Sequence, residues 1–258
     1  MGLATLDFPQ YHGGVAVASY EAPRVIELDF EVFGDTTAQT LTLLEDLFAV
    51  FQPQVTVEQP LVFTLPGQPE RQVDCRPRLG DAPLVTPAIH RHGVASFQLV
   101  ASDPAIYSSA ERQAVVTPTV ASGGLTYDVI YPKVYGAAGV GGTVNVPNAG
   151  QWETWPRFVI TGPTSGTFTD PTIEYLTGGQ ALRFNAFGGI AISAGQELLI
   201  DSSPRHRSVT LDGASRIGRL SEDSEWFAFQ PGINEVRLRG FGTFDGVSMT
   251  ITARDAWI

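Results

Sequence analysis

Apolar and acidic residues alternate along Pro23–Phe33, close to the N-terminus of the chain. In an extended chain successive side chains point to opposite faces, so Ile26, Leu28, Phe30 and Val32 share one face. The other face carries Glu27, Asp29 and Glu31. This pattern predicts a half-buried β-strand with an acidic outer face.

The next segment changes to helical spacing. Apolar side chains recur three or four residues apart, at Leu41, Leu44, Leu47, Phe48 and Phe51. The run Gly34-Asp-Thr-Thr supplies a candidate N-cap, and Pro53 is a stop signal. The spacing therefore predicts one amphipathic helix from about Thr36 to Phe51, packed on a sheet.

Several short β-runs follow and complete a first domain over residues 1–108. Leu61–Leu65, Gln72–Cys75 and Gly93–Ala101 read as strands, and Leu65-Pro-Gly-Gln-Pro reads as a turn. This domain is expected to close near Asp103-Pro104. We predict a second domain over residues 109–258.

The second domain opens with a junction over residues 109–150 that is rich in Gly, Ala, Thr and Pro. From Trp155 onward, short strands are separated by turns every 8–12 residues or so, which favours a β-sandwich. The predicted strands of this domain are Gln113–Thr117, Tyr127–Tyr131, Thr143–Val146, Arg157–Thr161, Thr172–Leu176, Ala181–Phe184, Glu197–Asp201, Ser208–Leu211, Trp226–Phe229, Glu235–Arg239 and Ser248–Ala253.

Composition agrees with a mainly β protein, since the 258 residues include 27 Gly and 18 Pro and only 17% are charged. The net charge of −11 argues against sequence-independent binding of nucleic acid. Most of the excess lies in residues 1–108, where 13 carboxylates against 5 Arg give −8. Cys75 is the single cysteine, so we expect no intramolecular disulfide and a buried, inert thiol. We also expect a soluble protein, because neither a secretory signal nor a long apolar run is evident.

An ordered series of landmarks runs through the last 110 residues. It comprises Asn148-Ala-Gly, Trp155-Pro-Arg-Phe-Val-Ile-Thr-Gly-Pro, Ala194-Gly-Gln-Glu-Leu-Leu-Ile-Asp201, Leu211-Asp-Gly, Trp226-Phe-Ala-Phe-Gln-Pro-Gly-Ile-Asn234 and Met249-Thr-Ile-Thr-Ala-Arg-Asp-Ala-Trp257. In order and spacing this series resembles the siphophage distal tail protein family. The first half fits that family less specifically, through its strand, helix, strands and the ending Asp103-Pro-Ala-Ile-Tyr107.

The resemblance implies a structural virion protein at the distal end of the tail, assembled in the host cytoplasm. Its first domain, a β-sandwich or split barrel with one helix, would build a ring, expected to be a hexamer. The ring would join the tail tube protein to the tail hub, with tape measure and receptor-binding proteins as further partners. A galectin-like C-terminal β-sandwich would project outward. The resemblance carries over no catalytic residue, metal or cofactor.

Glu27, Asp29 and Glu31 are the strongest candidate cluster. Repeated around a ring, they would line an acidic lumen whose like charge keeps passing DNA from adhering. An ordinary solvated strand face explains the same pattern, and a cation site is a third interpretation.

Four tryptophans, Trp152, Trp155, Trp226 and Trp257, form the second candidate set. They could stack on sugars, although packing within the sandwich or against a neighbouring subunit is the simpler interpretation. Sugar binding would make the chain a lectin-like adhesin, which is the alternative function. A tail-tube or hub subunit is a third.

Other clusters give weaker signals for chemistry. His90-x-His92 has a metal-ligand spacing without a third ligand, and Asp201-Ser-Ser-Pro-Arg-His-Arg holds triad residue types too close together for a hydrolase. Ser122-Gly-Gly and Gly139-Val-Gly-Gly lack the Lys that phosphate loops use. The sequence therefore favours a non-enzymatic role.

Overall fold

The structure is a computed structural model that describes residues 5–7, 14–16, 22–52, 57–78, 84–89, 91–118 and 142–258. About half of the described residues, 51%, lie in strands, and one α-helix is present among them. The predicted mainly β class is thus confirmed. Within the same residues, no helix is long and apolar enough to cross a membrane.

The elements are listed once here in chain order. They are β1 (Thr5–Asp7), β2 (Gly14–Ala16), β3 (Arg24–Phe33), α1 (Thr37–Val50), β4 (Gln59–Phe63), β5 (Arg71–Pro77), β6 (Leu84–Ile89), β7 (His92–Ala101), β8 (Ile106–Ser108), β9 (Arg112–Val116), β10 (Thr143–Asn148), β11 (Arg157–Thr161), β12 (Thr167–Tyr175), β13 (Gln180–Arg183), β14 (Ala191–Ser193), β15 (Glu197–Asp201), β16 (Ser208–Leu211), β17 (Ala214–Ser215), β18 (Gly232–Gly242), β19 (Ser248–Ala253) and β20 (Ala256–Trp257). The chain divides into two compact units, Met1–Ile106 and Tyr107–Ile258.

Strand β7 is the centre of the first unit. Along one side it pairs with β3 over ten residues, from Arg24 opposite Ala101 to Phe33 opposite His92. On its other side it pairs with β5 and β6, and β4 extends the sheet beyond β5. All these pairs are antiparallel, and short connections suffice for such a sheet.

Helix α1 covers one face of this sheet. The Thr36 side chain caps it by accepting a hydrogen bond from the Gln39 amide at 3.2 Å, as the Gly34-Asp-Thr-Thr motif predicted. The Phe51 ring stacks on Phe97 with centroids 4.4 Å apart. Leu44 packs so closely on Gly93 that a Cβ there would lie 2.7 Å from its Cδ1. Only the expectation for Leu41 fails, because its side chain is half exposed.

The second unit is a sandwich of two antiparallel sheets. One has the strand order β17-β16-β15-β11-β19-β9, and the other has the order β10-β18-β12-β13 with β14 added to β12. Their inner faces share one core that includes Phe158, Phe168, Tyr175 and Ile251. The expected sandwich is therefore present.

The predicted strand Trp226–Phe229 is wrong. Phe227, Ala228 and Phe229 are all buried in succession, so this segment lacks the alternation of a strand and forms only one isolated bridge, between Thr154 and Phe229. The segment crosses the core rather than extending a sheet. The predicted strand Tyr127–Tyr131 lies outside the described residues.

Candidate functional site

The acidic strip, defined as Glu27, Asp29 and Glu31, lies on the exposed face of β3. Opposite it on β7, Gln98 donates to Glu27 at 3.0 Å and the Ser96 hydroxyl donates to Asp29 at 2.5 Å. His92 lies 3.6 Å from Glu31. The strand register thus brings the three carboxylates together and supports each with a polar neighbour.

Metal-ligand geometry does not accompany the strip. No group of three His, Cys, Asp or Glu side chains suited to a metal ion occurs among the described residues. His92 instead stacks on Phe33 with ring centroids 4.7 Å apart, and His90 lies outside the described residues.

The four tryptophans are all half-buried rather than exposed. Trp226 packs against the sandwich core and lies under the Arg207 guanidinium, 5.6 Å from the ring centroid. Trp152 forms a backbone bridge to Ala256, the residue before Trp257. Half-buried rings of this kind favour packing over an open sugar-stacking platform.

The landmark Asn148-Ala-Gly forms a lock, by which we mean a set of hydrogen bonds that ties two distant segments together. The Asn148 side chain donates to the Trp152 carbonyl at 2.8 Å and accepts from the Gly150 amide at 3.0 Å. Gly150 allows close approach of two backbones, since a Cβ there would lie 1.8 Å from the Ala256 carbonyl oxygen. The motif therefore joins two segments 108 residues apart.

Asp255 completes this lock. Its carboxylate accepts two hydrogen bonds from Arg112, at 2.7 and 2.8 Å, and one from the Ala149 amide at 2.8 Å. Burial by itself would raise the pKa of Asp255, but the hydrogen bonds and charge of Arg112 outweigh it, so the pKa lies below its ordinary value. The same pairing raises the pKa of Arg112.

The landmark ending in Asn234 is a second lock, at the start of β18. Asn234 is fully buried, and its Oδ1 accepts from the Tyr175 hydroxyl at 2.6 Å and from the Gln230 amide at 2.9 Å. Its Nδ2 donates to the carbonyls of Val146, Gln230 and Gly232. Burial raises the pKa of Tyr175, which keeps the hydroxyl protonated as a donor.

The landmark Leu211-Asp-Gly is a tight turn between β16 and β17. Asp212 and Gly213 both have positive φ, at 48° and 80°, as a hairpin of this kind requires. The Asp212 carboxylate accepts from Gln196 at 2.8 Å and from the Glu197 amide at 3.0 Å. These landmarks thus specify turns and locks, and none of the three assembles reactive groups.

An apolar surface on the first unit was not anticipated from the sequence. We define it as Val50 and Val57, both exposed, at a cavity of about 650 Å³ that Phe51, Leu61, Cys75 and Leu99 also help to line. Cys75 is buried, as predicted, and its burial together with Glu58 and Asp74 raises the pKa of the thiol to about 11. A neutral thiol suits the apolar lining.

The two units differ in how completely they bury apolar side chains. Among the described residues, the first unit buries eight hydrophobic residues and exposes eight large ones, whereas the second buries 26 and exposes eight. A sheet face and a helix that leave this much apolar surface in water are characteristic of a surface that another protein covers.

A set of charged side chains on β12 and β18 was also missed. Glu174 lies beside Arg237 and Arg239, with its Oε2 2.5 Å and 3.0 Å from their Nε atoms. Glu235, Arg237 and Arg239 alternate along the chain and so share one strand face, but nothing in the sequence indicates that β12 is the neighbouring strand.

Comparison with known proteins finds a family model that matches most of the second unit. Residues 149–257 match the family model of the siphovirus-type tail component, C-terminal domain, which spans the landmark region. No curated protein sequence matches the chain. The resemblance to siphophage distal tail proteins is thereby confirmed for the domain whose motifs carried it.

Two solved structures are similar to the chain. One is the crystal structure of the Dit (gp 19.1) protein of phage SPP1, described as a paradigm of the hub adsorption apparatus in Gram-positive infecting phages. It shares 16% identity with a TM-score of 0.65, over 100% of this chain and 88% of that one, so the likeness is one of fold. A chain of the phage P2 baseplate, in its activated conformation with Ca, shares 12% identity with a TM-score of 0.48, over 97% and 87% of the two chains.

Proposed function

We propose that the chain is a distal tail protein, because residues 149–257 match the family model of the siphovirus-type tail component, C-terminal domain. In this role its first domain assembles into a closed ring, expected to contain six copies. The ring joins the tail tube protein to the tail hub, and the second domain projects outward toward receptor-binding proteins. The role is structural, as part of the virion at the distal end of the tail.

The observation that carries this proposal is the unequal burial in the two units. The second unit has a large closed core, while the described residues of the first unit expose eight large apolar side chains and bury only four, Leu44, Val73, Phe97 and Leu99. Burial of apolar area is the main favourable term in protein association. A second copy of the first domain is the occupant we assign to the apolar surface around the cavity.

A closed ring explains why this surface is tolerated. In a ring each copy presents one patch to the preceding neighbour and another to the following neighbour, so no apolar patch stays open. Val50 and Val57, which are 75% and 68% exposed, contribute to the cavity rim and would be covered in such an assembly.

The experiment replaces Val50 with Asp in the full chain and measures particle mass. A charge placed in a subunit interface must be desolvated, so we expect dissociation into smaller species. The matched control is Ile233→Asp, which puts the same charge at a 61% exposed position of the second unit. Equal particle masses for Val50→Asp and the unaltered chain would refute the assigned interface.

We place the acidic strip on the lumen of this ring. Six copies of Glu27, Asp29 and Glu31 would give a negatively charged wall that repels DNA phosphates and allows DNA to pass without adhering. The supporting polar residues Ser96 and Gln98 hold the carboxylates on the sheet face without neutralising them. A map of the assembled ring in which these side chains face outward, or lie against a neighbour, would overturn this assignment.

A further inference from the structure

The outer face of the second, five-stranded sheet of the sandwich carries an arginine cluster, defined as Arg183, Arg237 and Arg239. Thr172 on β12 is directly opposite Arg183 on β13 and Arg239 on β18, so these three residues form one row across the sheet. Glu174 is opposite Arg237 in the next row. Because opposite residues of antiparallel strands share a face, all three guanidinium groups start from the same surface.

Glu174 fixes two of these arginines through the same end of each side chain. Its Oε2 lies 2.5 Å from the Nε of Arg237 and 3.0 Å from the Nε of Arg239. Among the described residues, no hydrogen bond from the Nη groups of either arginine is present. The bidentate ends of both guanidinium groups are therefore oriented by Glu174 and available to a ligand.

Charge on the face also favours an anion. Arg237 and Arg239 share the Glu174 carboxylate, so one positive charge is left uncompensated at the Arg239 end of the cluster, whereas Glu235 of the same strand face lies on the far side of Arg237. Arg183 reaches the same row and is held separately by the Asp223 backbone carbonyl at 3.0 Å and its carboxylate at 3.2 Å. Thr172 lies between Arg183 and Arg239 in the strand register, and its hydroxyl can add a neutral donor.

We propose that this cluster binds a phosphate group, with Arg237 and Arg239 as the fork and Arg183 and Thr172 as flanking donors. Phosphate presents several acceptor oxygens that match paired guanidinium groups better than a single carboxylate does. Glu174 is a positioning residue that holds the fork and does not contact the ligand. This binding site does not depend on ring assembly.

The test uses fluorescein-labelled linear polyphosphate and the full chain, with binding followed by fluorescence anisotropy. Inorganic phosphate is the competitor, and acetate at matched ionic strength separates phosphate from a general anion effect. We expect saturable binding that phosphate displaces and acetate does not. Absence of saturable binding, or equal displacement by acetate, would overturn the proposal.

Two variants assign the binding to the cluster. Arg239→Gln removes one of the two guanidinium groups of the fork, at a position that is 56% exposed. We expect the affinity for polyphosphate to fall at least about tenfold, which is the effect of one lost charge-assisted hydrogen bond. The control, Arg157→Gln, removes an arginine of similar exposure that pairs with Asp201 across the other sheet at 3.4 Å. An equal loss in both variants, with unchanged melting temperatures, would show that binding follows overall charge and would refute the site.

Discussion

Replacing Asn234 with Ala tests whether the landmark turns hold the second unit together. The side chain is fully buried and makes five hydrogen bonds, including one from the Tyr175 hydroxyl at 2.6 Å. The substitution leaves that buried hydroxyl without its acceptor and removes the hydrogen bonds to the Gln230 amide and the Val146 carbonyl. A buried polar group without a partner costs about 1–3 kcal/mol, and the other two lost hydrogen bonds together add about 1–2 kcal/mol. We therefore expect a loss of about 3 kcal/mol.

The assay is thermal unfolding of the full chain, followed by near-UV circular dichroism. For a unit of this size a loss of about 3 kcal/mol lowers the melting temperature of its transition by roughly 10 °C. The control is Asn145→Ala on the same sheet, where the side chain is exposed and the expected change is within about 0.5 kcal/mol. In the double variant with Tyr175→Phe, the hydroxyl is absent, so the two losses should not add. If Asn234→Ala melts within about 2 °C of the unaltered chain, the lock does not stabilise the unit as argued.

Three further predictions concern single residues. Gly150→Ala should destabilise the second unit by about 2–3 kcal/mol, because the new Cβ would clash with the Ala256 carbonyl. Gly218→Ala, which has open space around its new Cβ, should leave stability unchanged, and denaturant melts compare the two variants. Asp255→Asn should cost about 2 kcal/mol near pH 7, less than a fully buried pair because Arg112 is 42% exposed. Because the folded-state pKa of Asp255 is lowered, its stabilisation is present above the ordinary value of 3.8 and is lost as pH falls through the folded-state pKa, so acid titration should destabilise the unaltered chain more than Asp255→Asn. The pKa of Cys75 is raised to about 11 from 9.0, so the stability that the neutral thiol contributes should be complete below pH 9.0 and be lost as pH approaches 11. Cys75→Ala should lack this alkaline loss of stability in urea melts, and an identical loss in both chains would contradict the prediction.

Much of the architecture follows from patterns within single segments. The alternation of β3 and the spacing of α1 gave both elements nearly to the residue, because each exposes one face and buries the other. The segment Trp226–Phe229 failed for the converse reason, since consecutive buried residues carry no periodicity that distinguishes a strand from a core-crossing loop.

The candidate sites were less accessible to sequence reasoning because they depend on which strands are neighbours. The acidic strip could be read from β3 alone, whereas the arginine cluster requires β12 to lie between β13 and β18. The apolar surface was hidden for another reason. Val50 and Val57 carry no sequence signal that separates an exposed apolar side chain from a buried one, and only the packed structure reveals that the first unit leaves them uncovered.

Particle mass of the purified full chain is the most direct test of the proposed ring. Six copies of a 27.7 kDa chain give about 166 kDa, and mass photometry combined with negative-stain images should reveal closed particles of that mass with a central opening. A single species of 27.7 kDa at every concentration tested would contradict the proposal that this chain builds a ring.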